Sequence, residues 1–397
     1  MRKIILIIGF FIFENNISYA QWQQTNGIPT APVYCIAASG TNLYAGITYS
    51  TQNCVYLSTN SGLDWIGIGL PNRIVNTIAA INEKVFAGTD SGVFVTTNNG
   101  INWTTANYGL AYRNVKALAF QGTDLYAGSV GIWKSTNFGI LWYETQLINH
   151  NMSTFLVSGN TIFAGTNNDG IFISANNGSI WNFMNLLNKQ IYSVAIIGNN
   201  IFAGTSQYGV YLTTNYGTNW NQVNSGLTVL NSYALAVSGT TLFSGFNGVY
   251  KSTDYGANWI LKNEGFGSPL SVNCLLNSNG YLYAGTTYIG IWRRLISELI
   301  DIKTISTVIP ENYSLSQNYP NPFNPVTNIK FQIRKSSFIN INIFDISGRK
   351  IENLVNQNLK PGSYEISWNA ASFPSGIYFY KIITPEFTKT LKMTFLK

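Results

Sequence analysis

Apolar and polar residues alternate in short runs along most of the chain, and turns containing Gly, Asn, Thr and Ser separate the runs. One run has the form apolar-apolar-Ala-Gly and occurs seven times, at Leu43–Gly46, Val85–Gly88, Leu125–Gly128, Ile162–Gly165, Ile201–Gly204, Leu242–Gly245 (with Ser244 for Ala) and Leu282–Gly285. A second apolar run follows each copy. A period of two predicts half-buried β-strands, so we expect an all-β protein.

A second motif, Ser/Thr-x-Asn/Asp-x-Gly-x-x-Trp, follows the first six pairs of runs. We call these six segments the box turns. Their acceptor, glycine and tryptophan positions are Asn60, Gly62, Trp65; Asn98, Gly100, Trp103; Asn137, Gly139, Trp142; Asn176, Gly178, Trp181; Asn215, Gly217, Trp220; and Asp254, Gly256, Trp259. The tryptophans are 38 or 39 residues apart. A period near 40 residues is typical of the four-stranded blades of a β-propeller.

Each residue type in the box turns suits a tight hairpin. The Asn or Asp side chain can accept backbone N–H bonds, and the Gly supplies a positive φ angle. The Trp begins the next strand, and we expect its ring to pack across the hairpin. These residues are therefore predicted to be structural.

The seventh blade lacks a box turn, because the chain changes character after Arg294. Its missing Trp strand is found at the other end of the chain, where Trp22-Gln-Gln-Thr-Asn-Gly27 is similar to Trp220-Asn-Gln-Val-Asn-Ser-Gly226. We therefore predict a seven-bladed β-propeller over residues 21–295, closed by the N-terminal strand. Such closure removes an exposed sheet edge.

The box turns resemble the Asp box, S-x-D-x-G-x-x-W, of sialidases, some glycoside hydrolases, sortilin-type receptors and photosystem II assembly propellers. Five of the six copies carry Asn where that family usually has Asp. Asn can still accept the hydrogen bonds of the turn, so the geometry is expected to persist. Calcium binding or acid chemistry at these turns is disfavoured, and we predict neither a metal nor a cofactor.

The C-terminal region has a different pattern. Residues 296–311 are predicted to be a linker, and a proline-rich run at 319–325 then excludes helix and central strand. Beyond it, alternating runs at Ile329–Ile333, Ile339–Phe344, Tyr364–Trp368, Ile377–Ile383 and Leu391–Phe395 predict a small immunoglobulin-like β-sandwich over residues 312–397.

This tail resembles the type A C-terminal sorting domain of the type IX secretion system. The matching residues include Tyr319, Pro320, Asn321, Pro322, Phe323, Asn324, Pro325, Gly348, Arg349, Gly376, Tyr378, Lys381 and Lys397. The resemblance implies passage through the periplasm, export across an outer membrane by the secretion machinery, and in many members removal of the tail with attachment to lipopolysaccharide. An ordinary adhesive sandwich domain is the alternative.

The N-terminus is predicted to be a signal peptide, residues 1–20. Arg2 and Lys3 precede an apolar stretch from Ile4 to Phe13, and Ser18-Tyr19-Ala20 places small residues before a cleavage point. Ten apolar residues are too few to span a bilayer, which needs about 20. An uncleaved membrane anchor is the alternative. No later segment has 18 consecutive apolar residues, so a transmembrane segment is not expected, and we predict a secreted or outer-surface location.

Charge does not favour a nucleic-acid partner. The chain has a formal charge of +7, but residues 21–295 hold ten Lys and Arg against eight Asp and Glu, while 310–397 hold ten against five. A nucleic-acid binder is expected to show a basic stripe on its main domain. The predicted propeller shows none, so nucleic acid is not expected as a partner.

Three cysteines are too few for a disulfide framework. Cys35 and Cys274 occupy equivalent positions on the inner strands of the first and last predicted blades. A bridge between them and a simple requirement for small side chains both remain open, because the other blades place Thr, Ala or Ser there. Cys54 is predicted to be a free thiol.

Candidate catalytic groups are few and scattered. Glycoside hydrolysis by paired carboxylates needs two acidic side chains in one cleft, and the loops offer Asp90, Glu144, Asp169 and Glu264 on different blades. The single histidine, His150, has no His or Cys nearby at metal-ligand spacing. We therefore assign no catalytic residues and expect a protein that is not an enzyme, with a glycoside hydrolase or sialidase-like enzyme as the alternative.

Binding is better supported, because propeller loops of all blades meet around one face and loops carry recognition. We predict a site for a glycan or protein ligand formed by Tyr49, Arg73, Tyr108, Tyr112, Arg113 and Tyr208. Tyr and Asn with few charges suit stacking on sugars or contact with a protein surface. The alternatives are that most of these rings only cap blade ends, and that the protein is an assembly or scaffold propeller.

Overall fold

The computed structural model describes residues 21–48, 50–267, 271–299, 302–370 and 373–397. The described part of the chain is built from β-strands, with one short 3₁₀ turn at Ile296–Glu298. The predicted signal peptide and Tyr49 lie outside the described residues. The all-β prediction is confirmed.

The first 28 strands form seven four-stranded antiparallel sheets. The N-terminal strand is β1 (Gln23–Gln24). The first three sheets are β2 (Val33–Ser39), β3 (Asn42–Ile47), β4 (Val55–Ser58), β5 (Ile66–Gly67); β6 (Val75–Ile81), β7 (Lys84–Thr89), β8 (Gly92–Thr96), β9 (Thr104–Thr105); and β10 (Ala117–Gln121), β11 (Asp124–Ser129), β12 (Gly131–Ser135), β13 (Tyr143–Glu144).

The next three sheets are β14 (Met152–Ser158), β15 (Thr161–Thr166), β16 (Ile171–Ser174), β17 (Asn182–Phe183); β18 (Ile191–Ile197), β19 (Asn200–Thr205), β20 (Gly209–Thr213), β21 (Asn221–Gln222); and β22 (Ala234–Ser238), β23 (Thr241–Phe246), β24 (Gly248–Ser252), β25 (Ile260–Leu261). The last sheet contains β26 (Val272–Ser278), β27 (Tyr281–Thr286) and β28 (Ile291–Leu295), with β1 as its fourth strand.

The row of sheets closes on itself. The first strands of consecutive sheets contact each other, and β26 also contacts β2. In the last sheet β1 pairs with β28, with Gln23 opposite Arg293 and Gln24 opposite Trp292. The buried clusters lie between neighbouring sheets, so each sheet is stabilised by the two beside it.

The box turns have one hydrogen-bond pattern. The Ser or Thr hydroxyl donates to the Asn or Asp oxygen at 2.8–3.0 Å in all six. The glycine N–H donates to the same hydroxyl, at 2.8 Å for Gly139. Asp254 accepts from the Asn258 N–H as Asn98 accepts from that of Asn102, so Asn keeps the backbone hydrogen bond of the turn. The second carboxylate oxygen of Asp254 also accepts from Asn258 Nδ2 at 2.8 Å.

The tryptophans of the box turns contact their own hairpin, as expected, since the Trp142 and Trp259 rings lie beside the glycine of their own turn. They also reach the sheet before their own. The indole of Trp103 donates to the Ile68 carbonyl at 2.7 Å, and that of Trp142 to the Ala106 carbonyl at 2.8 Å, in each case on the preceding sheet. Trp220 and Trp259 form the same bond with the sheets before theirs. The ring fills the gap between two sheets because the fourth strand is only two residues long and leaves that gap open.

The tail forms two four-stranded antiparallel sheets that pack face to face. One contains β29 (Lys303–Ser306), β34 (Gly362–Asn369), β31 (Val326–Ile333) and β30 (Ser314–Leu315), and the other β33 (Lys350–Leu359), β32 (Ser337–Phe344), β35 (Gly376–Ile383) and β36 (Thr388–Phe395). Their shared core includes Ile341, Trp368 and Phe395.

Three strands of the tail were not predicted. Strand β29 lies within the predicted linker and pairs with β34, and the 3₁₀ turn precedes it. Strand β30 is only two residues long and pairs with β31. Strand β33 was missed because Asn, Gln and Glu dominate it and these residues have low strand propensity. All three are edge strands, where backbone pairing with one neighbour suffices.

Candidate functional site

The two ends of the propeller axis have different surroundings. At one end, the turns between the first and second strands of several sheets, such as Gly40-Thr41 and Gly239, border a cavity of about 740 Å³. Its other wall belongs to the tail, where Arg349, Lys350 and Glu352 lie. The tail therefore stands over this end. We call the opposite end, formed by loops between second and third strands and by loops leading to the next sheet, the open face.

All the described residues of the predicted binding site lie on loops of the open face, but they form separate groups. The Arg73 guanidinium lies 5.7 Å from the Phe94 ring centroid. The Tyr208 ring lies under the Lys189 ammonium at 3.4 Å. Tyr108 is 76% exposed. Of the predicted residues, the structure brings together only Tyr112 and Arg113.

Tyr112 and Arg113 line a cavity of about 300 Å³ between the third and fourth sheets, which we call the open-face pocket. Its other polar side chains are Asn114, Lys116, Ser129, Asn151 and Asn167. Apart from Ser129, at the end of β11, they come from three loops, the one before β10, the one before β14 and the one between β15 and β16. This volume is at the lower end of the range for small-molecule sites.

Lys116 belongs to a ring of residues that the sequence interpretation missed. In five sheets the first strand has a β-bulge whose extra residue is Tyr34, Asn76, Ser153, Tyr192 or Asn273. Lys116 and Tyr233 occupy the equivalent position in the other two sheets, where their N–H groups bond to Gly128 and Gly245. Each of these seven residues stands immediately before a small residue that occupies the same position in every repeat. Alignment of the repeats is therefore the sequence signal that could have identified the seven residues.

The bulge residues surround the opening of the central axis on the open face and form two chemically different groups there. Tyr192, Tyr233 and Phe246 form an aromatic cluster with ring centroids 4.4 and 4.5 Å apart. On the other side, the Lys116 ammonium donates to the Asn76 Oδ1 at 3.1 Å. Burial lowers the pKa of Lys116, and the negative charge of Asp90 partly opposes that change.

The acidic residues considered for catalysis do not meet. The Asp169 carboxylate accepts a hydrogen bond from His150 Nδ1 at 2.9 Å. Glu264 forms an ion pair with Arg294 at 2.6 Å, and Glu144 is exposed on β13. Among the described residues, no group of three His, Cys, Asp or Glu side chains is placed to hold a metal ion.

The three cysteines are free thiols. The Sγ atoms of Cys35 and Cys274 face the carbonyls of Val75 and Val33, each at the start of the next sheet. Burial raises the pKa of both thiols, to about 12 for Cys274. Small side chains at these positions are therefore accommodated between neighbouring sheets.

The proline-rich motif of the tail closes one end of the sandwich. Phe323 is buried against Trp368 and Phe395, with ring centroids 5.5 and 5.2 Å away. The buried Asn318 amide donates to the Pro320 carbonyl and to Thr327 Oγ1. The peptide bonds before Pro320 and Pro322 are cis. Much of this motif is therefore structural.

Other matching residues of the tail lie on its surface. Tyr319 is 80% exposed, and Arg349 and Lys397 are exposed. Arg349 Nε donates to Asp345 at 3.0 Å, in a turn that Gly348 completes with a φ of +78°. The hydrogen bonds from Ser347 and Arg349 lower the pKa of Asp345. These side chains are accessible for contact with another protein.

Glu352 is a carboxyl of the tail whose protonation is linked to folding. Burial raises the pKa of Glu352 to about 7, although its carboxylate accepts a 2.7 Å bond from the Trp368 indole. An unfolded Glu titrates near pH 4.3. Between these values the folded state binds the extra proton, so the stability that Glu352 contributes is fully present below about pH 4.3 and is lost as the pH rises through about 7.

We therefore expect Glu352→Gln, which keeps an acceptor for Trp368, to equal the native protein in stability near pH 4.5. At pH 8 the variant is expected to be more stable by about 2–3 kcal/mol. Thermal denaturation of the full chain across this pH range measures the difference. Parallel pH curves for the two proteins would contradict the expectation.

Comparisons with known proteins address both parts of the chain. Residues 317–395 match the family of secretion system C-terminal sorting domains. No curated protein sequence matches the chain. Within the described residues, no helix has the length and apolar character needed to cross a membrane.

Several solved structures share the fold. YCF48 bound to a D1 peptide is 14% identical, with a TM-score of 0.58 over 70% of this chain and 98% of that one. PorZ, a surface component of the type-IX secretion system of Porphyromonas gingivalis, is 18% identical, with a TM-score of 0.52 over 92% and 60%. The GH74 xyloglucanase of Xanthomonas campestris is 12% identical, with a TM-score of 0.56 over 79% and 59%.

These likenesses show a β-propeller fold, and at such low identity they show the fold alone. The family match shows that the tail is a type IX secretion sorting domain. The chain is therefore exported and is either secreted or held at the outer cell surface. Both conclusions agree with the sequence-based predictions.

Proposed function

We propose that this protein is a secreted or surface-displayed binding module, a seven-bladed Asp-box propeller over residues 21–295 with an immunoglobulin-like sorting domain at 312–397. A signal peptide at residues 1–20 would direct it to the periplasm. The observation that carries the proposal is the open-face pocket, where Tyr112 and Arg113 meet on the end of the propeller opposite the tail. The secretion machinery is the partner of the tail, and a glycan or protein is the ligand of the propeller.

The pocket supports binding rather than hydrolysis. Paired-carboxylate chemistry needs two acidic groups about 5–10 Å apart around one bond. The open-face pocket has none among its described lining residues, and Asp169 and Glu264 each have a basic partner on another loop. A display role outside the cell also fits the sorting tail better than an internal assembly or scaffold role does.

Replacing Tyr112 and Arg113 by Ala is expected to weaken ligand binding by about 1–3 kcal/mol, because each would remove a contact in a concave site. Both side chains are exposed, so the melting temperature is expected to change little. Binding of the labelled native chain and the double variant to glycan and surface-protein arrays, with calorimetry on the hits, measures the effect. The double variant Tyr143→Ala with Glu144→Ala, on the exposed strand β13, is the control.

Two results would contradict the proposal. Undiminished binding of the double variant would place the site elsewhere. Glycoside or ester turnover that disappears on substitution of Asp90, Glu144 or Asp169 would favour the enzyme.

A further inference from the structure

We propose that the open-face pocket binds a sugar unit that carries a negative charge, a carboxylate or a sulfate ester. This inference rests on the proposed binding function and specifies the class of ligand. The negative group would lie between Arg113 and Lys116, and the sugar ring would pack on Tyr112.

The distribution of charge on the propeller favours an anion at this face. The loops of the open face carry Arg73, Arg113, Lys116, Lys189 and Lys262 against Asp90 and Asp169. Glu264 forms its ion pair with Arg294 on β28, so both belong to the remainder of the domain. Residues 21–295 hold ten basic and eight acidic residues, so the remainder has five basic and six acidic residues, and the positive excess of the domain lies on the open face.

Within that face, the excess is concentrated at the pocket. Of the acidic side chains of the face, Asp169 is bonded to His150 at 2.9 Å, and Asp90 acts on Lys116 from outside the pocket lining. The pocket itself has a guanidinium and an ammonium but no described carboxylate in its lining. A concave site lined by positive charges attracts an anionic ligand.

The donors of the pocket are available to a ligand. The structure records no side-chain hydrogen bond or ion pair for Arg113, Asn151 or Asn167 in the described part of the chain. Lys116 has one acceptor, Asn76, and an ammonium group has three protons.

The remaining groups suit a sugar rather than a simple ion. The amides of Asn151 and Asn167 both donate and accept, as hydroxyl groups require. The Tyr112 ring is 45% exposed and tilts against the Trp133 ring at a centroid distance of 6.5 Å, which holds it as one wall of the pocket. A cavity of about 300 Å³ accommodates a small unit rather than an extended chain.

The test uses the chain from residue 21 to 397 and three trisaccharide probes with the same linkage: galacturonic acid, galactose and 6-sulfogalactose. Calorimetry is expected to show at least about tenfold tighter binding of one charged probe than of the neutral one, because charge-assisted bonds are stronger than neutral ones. That advantage is expected to shrink as salt is raised from 0.05 to about 0.5 M. The two charged probes distinguish the carboxylate from the sulfate ester.

Variants locate the site. Arg113→Gln and Lys116→Gln are each expected to remove most of the preference for the charged probe, and Tyr112→Ala to weaken both charged and neutral probes. Lys189→Gln removes a charge from the same face over a different sheet and is the matched control, expected to leave the preference unchanged. Circular dichroism melts verify that the variants are folded.

The outcomes separate this inference from the proposed function. Equal binding of charged and neutral probes, or loss of the preference in Lys189→Gln as large as in Arg113→Gln, overturns the anionic-sugar inference only. Binding of a protein or peptide ligand that depends on Tyr112, with no binding of any sugar probe, also overturns it and leaves the binding module intact. Ligand binding unaffected by every open-face variant overturns both.

Discussion

Replacing Trp22 by Ala is expected to lower the free energy of unfolding of the propeller by about 3–5 kcal/mol. Trp22 is 2% exposed, stacks on Phe266 with ring centroids 4.3 Å apart, and donates its indole N–H to the Lys262 carbonyl at 2.7 Å. It thus forms the same bond to the preceding sheet as the tryptophans of the box turns, although its strand comes from the other end of the chain. Denaturant titration of the chain from residue 21 measures the loss.

Two further variants identify the source of that stability. Deletion of residues 21–27 also exposes the edge of β28, so it is expected to promote association as well as unfolding. Gln23→Ala changes an exposed residue of the same strand and is expected to alter stability by less than about 0.5 kcal/mol. A Trp22→Ala protein that unfolds like the native chain would show that β1 does not close the ring.

A chain that ends after residue 302 is expected to fold as a propeller and to remain in the periplasm, with near-complete loss of export. The tail has its own buried core, separate from those of the propeller, so its removal leaves the propeller core intact. The cut precedes β29, because that strand pairs with β34 and would otherwise remain as an unpaired edge. Cell fractionation of a bacterium with a type IX system measures the distribution.

The reciprocal fusion is the control. Residues 303–397 joined to an unrelated folded periplasmic protein contain every strand of the sandwich and are expected to carry it outside the cell. Normal export of the shortened chain would show that the sorting information lies elsewhere. A fusion retained in the periplasm, together with loss of export of the shortened chain, would show that the propeller contributes to export.

The repeat made most of the propeller predictable, because its elements are local. A box turn such as Ser135–Trp142 forms its hydrogen bonds within eight residues, so its sequence alone specifies the turn. The similarity of Trp22 to Trp220 also predicted the pairing of the chain ends. In the tail, the period-two alternation of apolar and polar residues predicted most of the strands, and short sequence motifs predicted the function.

The strands and contacts that escaped prediction depend on neighbours distant in sequence. Strand β33 has an unfavourable composition and forms because β32 offers it a complete set of backbone partners. Four of the six box-turn tryptophans bond to the sheet before their own, a relation that no local pattern contains. Glu352 titrates near pH 7 only because folding places it in a desolvated site beside Trp368.

The binding site, too, could be predicted only as far as it depends on residues close together in the chain. The sequence by itself determined the repeat, the turns, the sorting tail and the face on which aromatic loops gather, because each depends on residues close together in the chain. Tertiary structure alone decided that Tyr112 and Arg113 share a cavity with Lys116, Asn151 and Asn167 while Arg73 and Tyr208 do not. Loops have no periodicity, and the packing of adjacent sheets sets which of them meet.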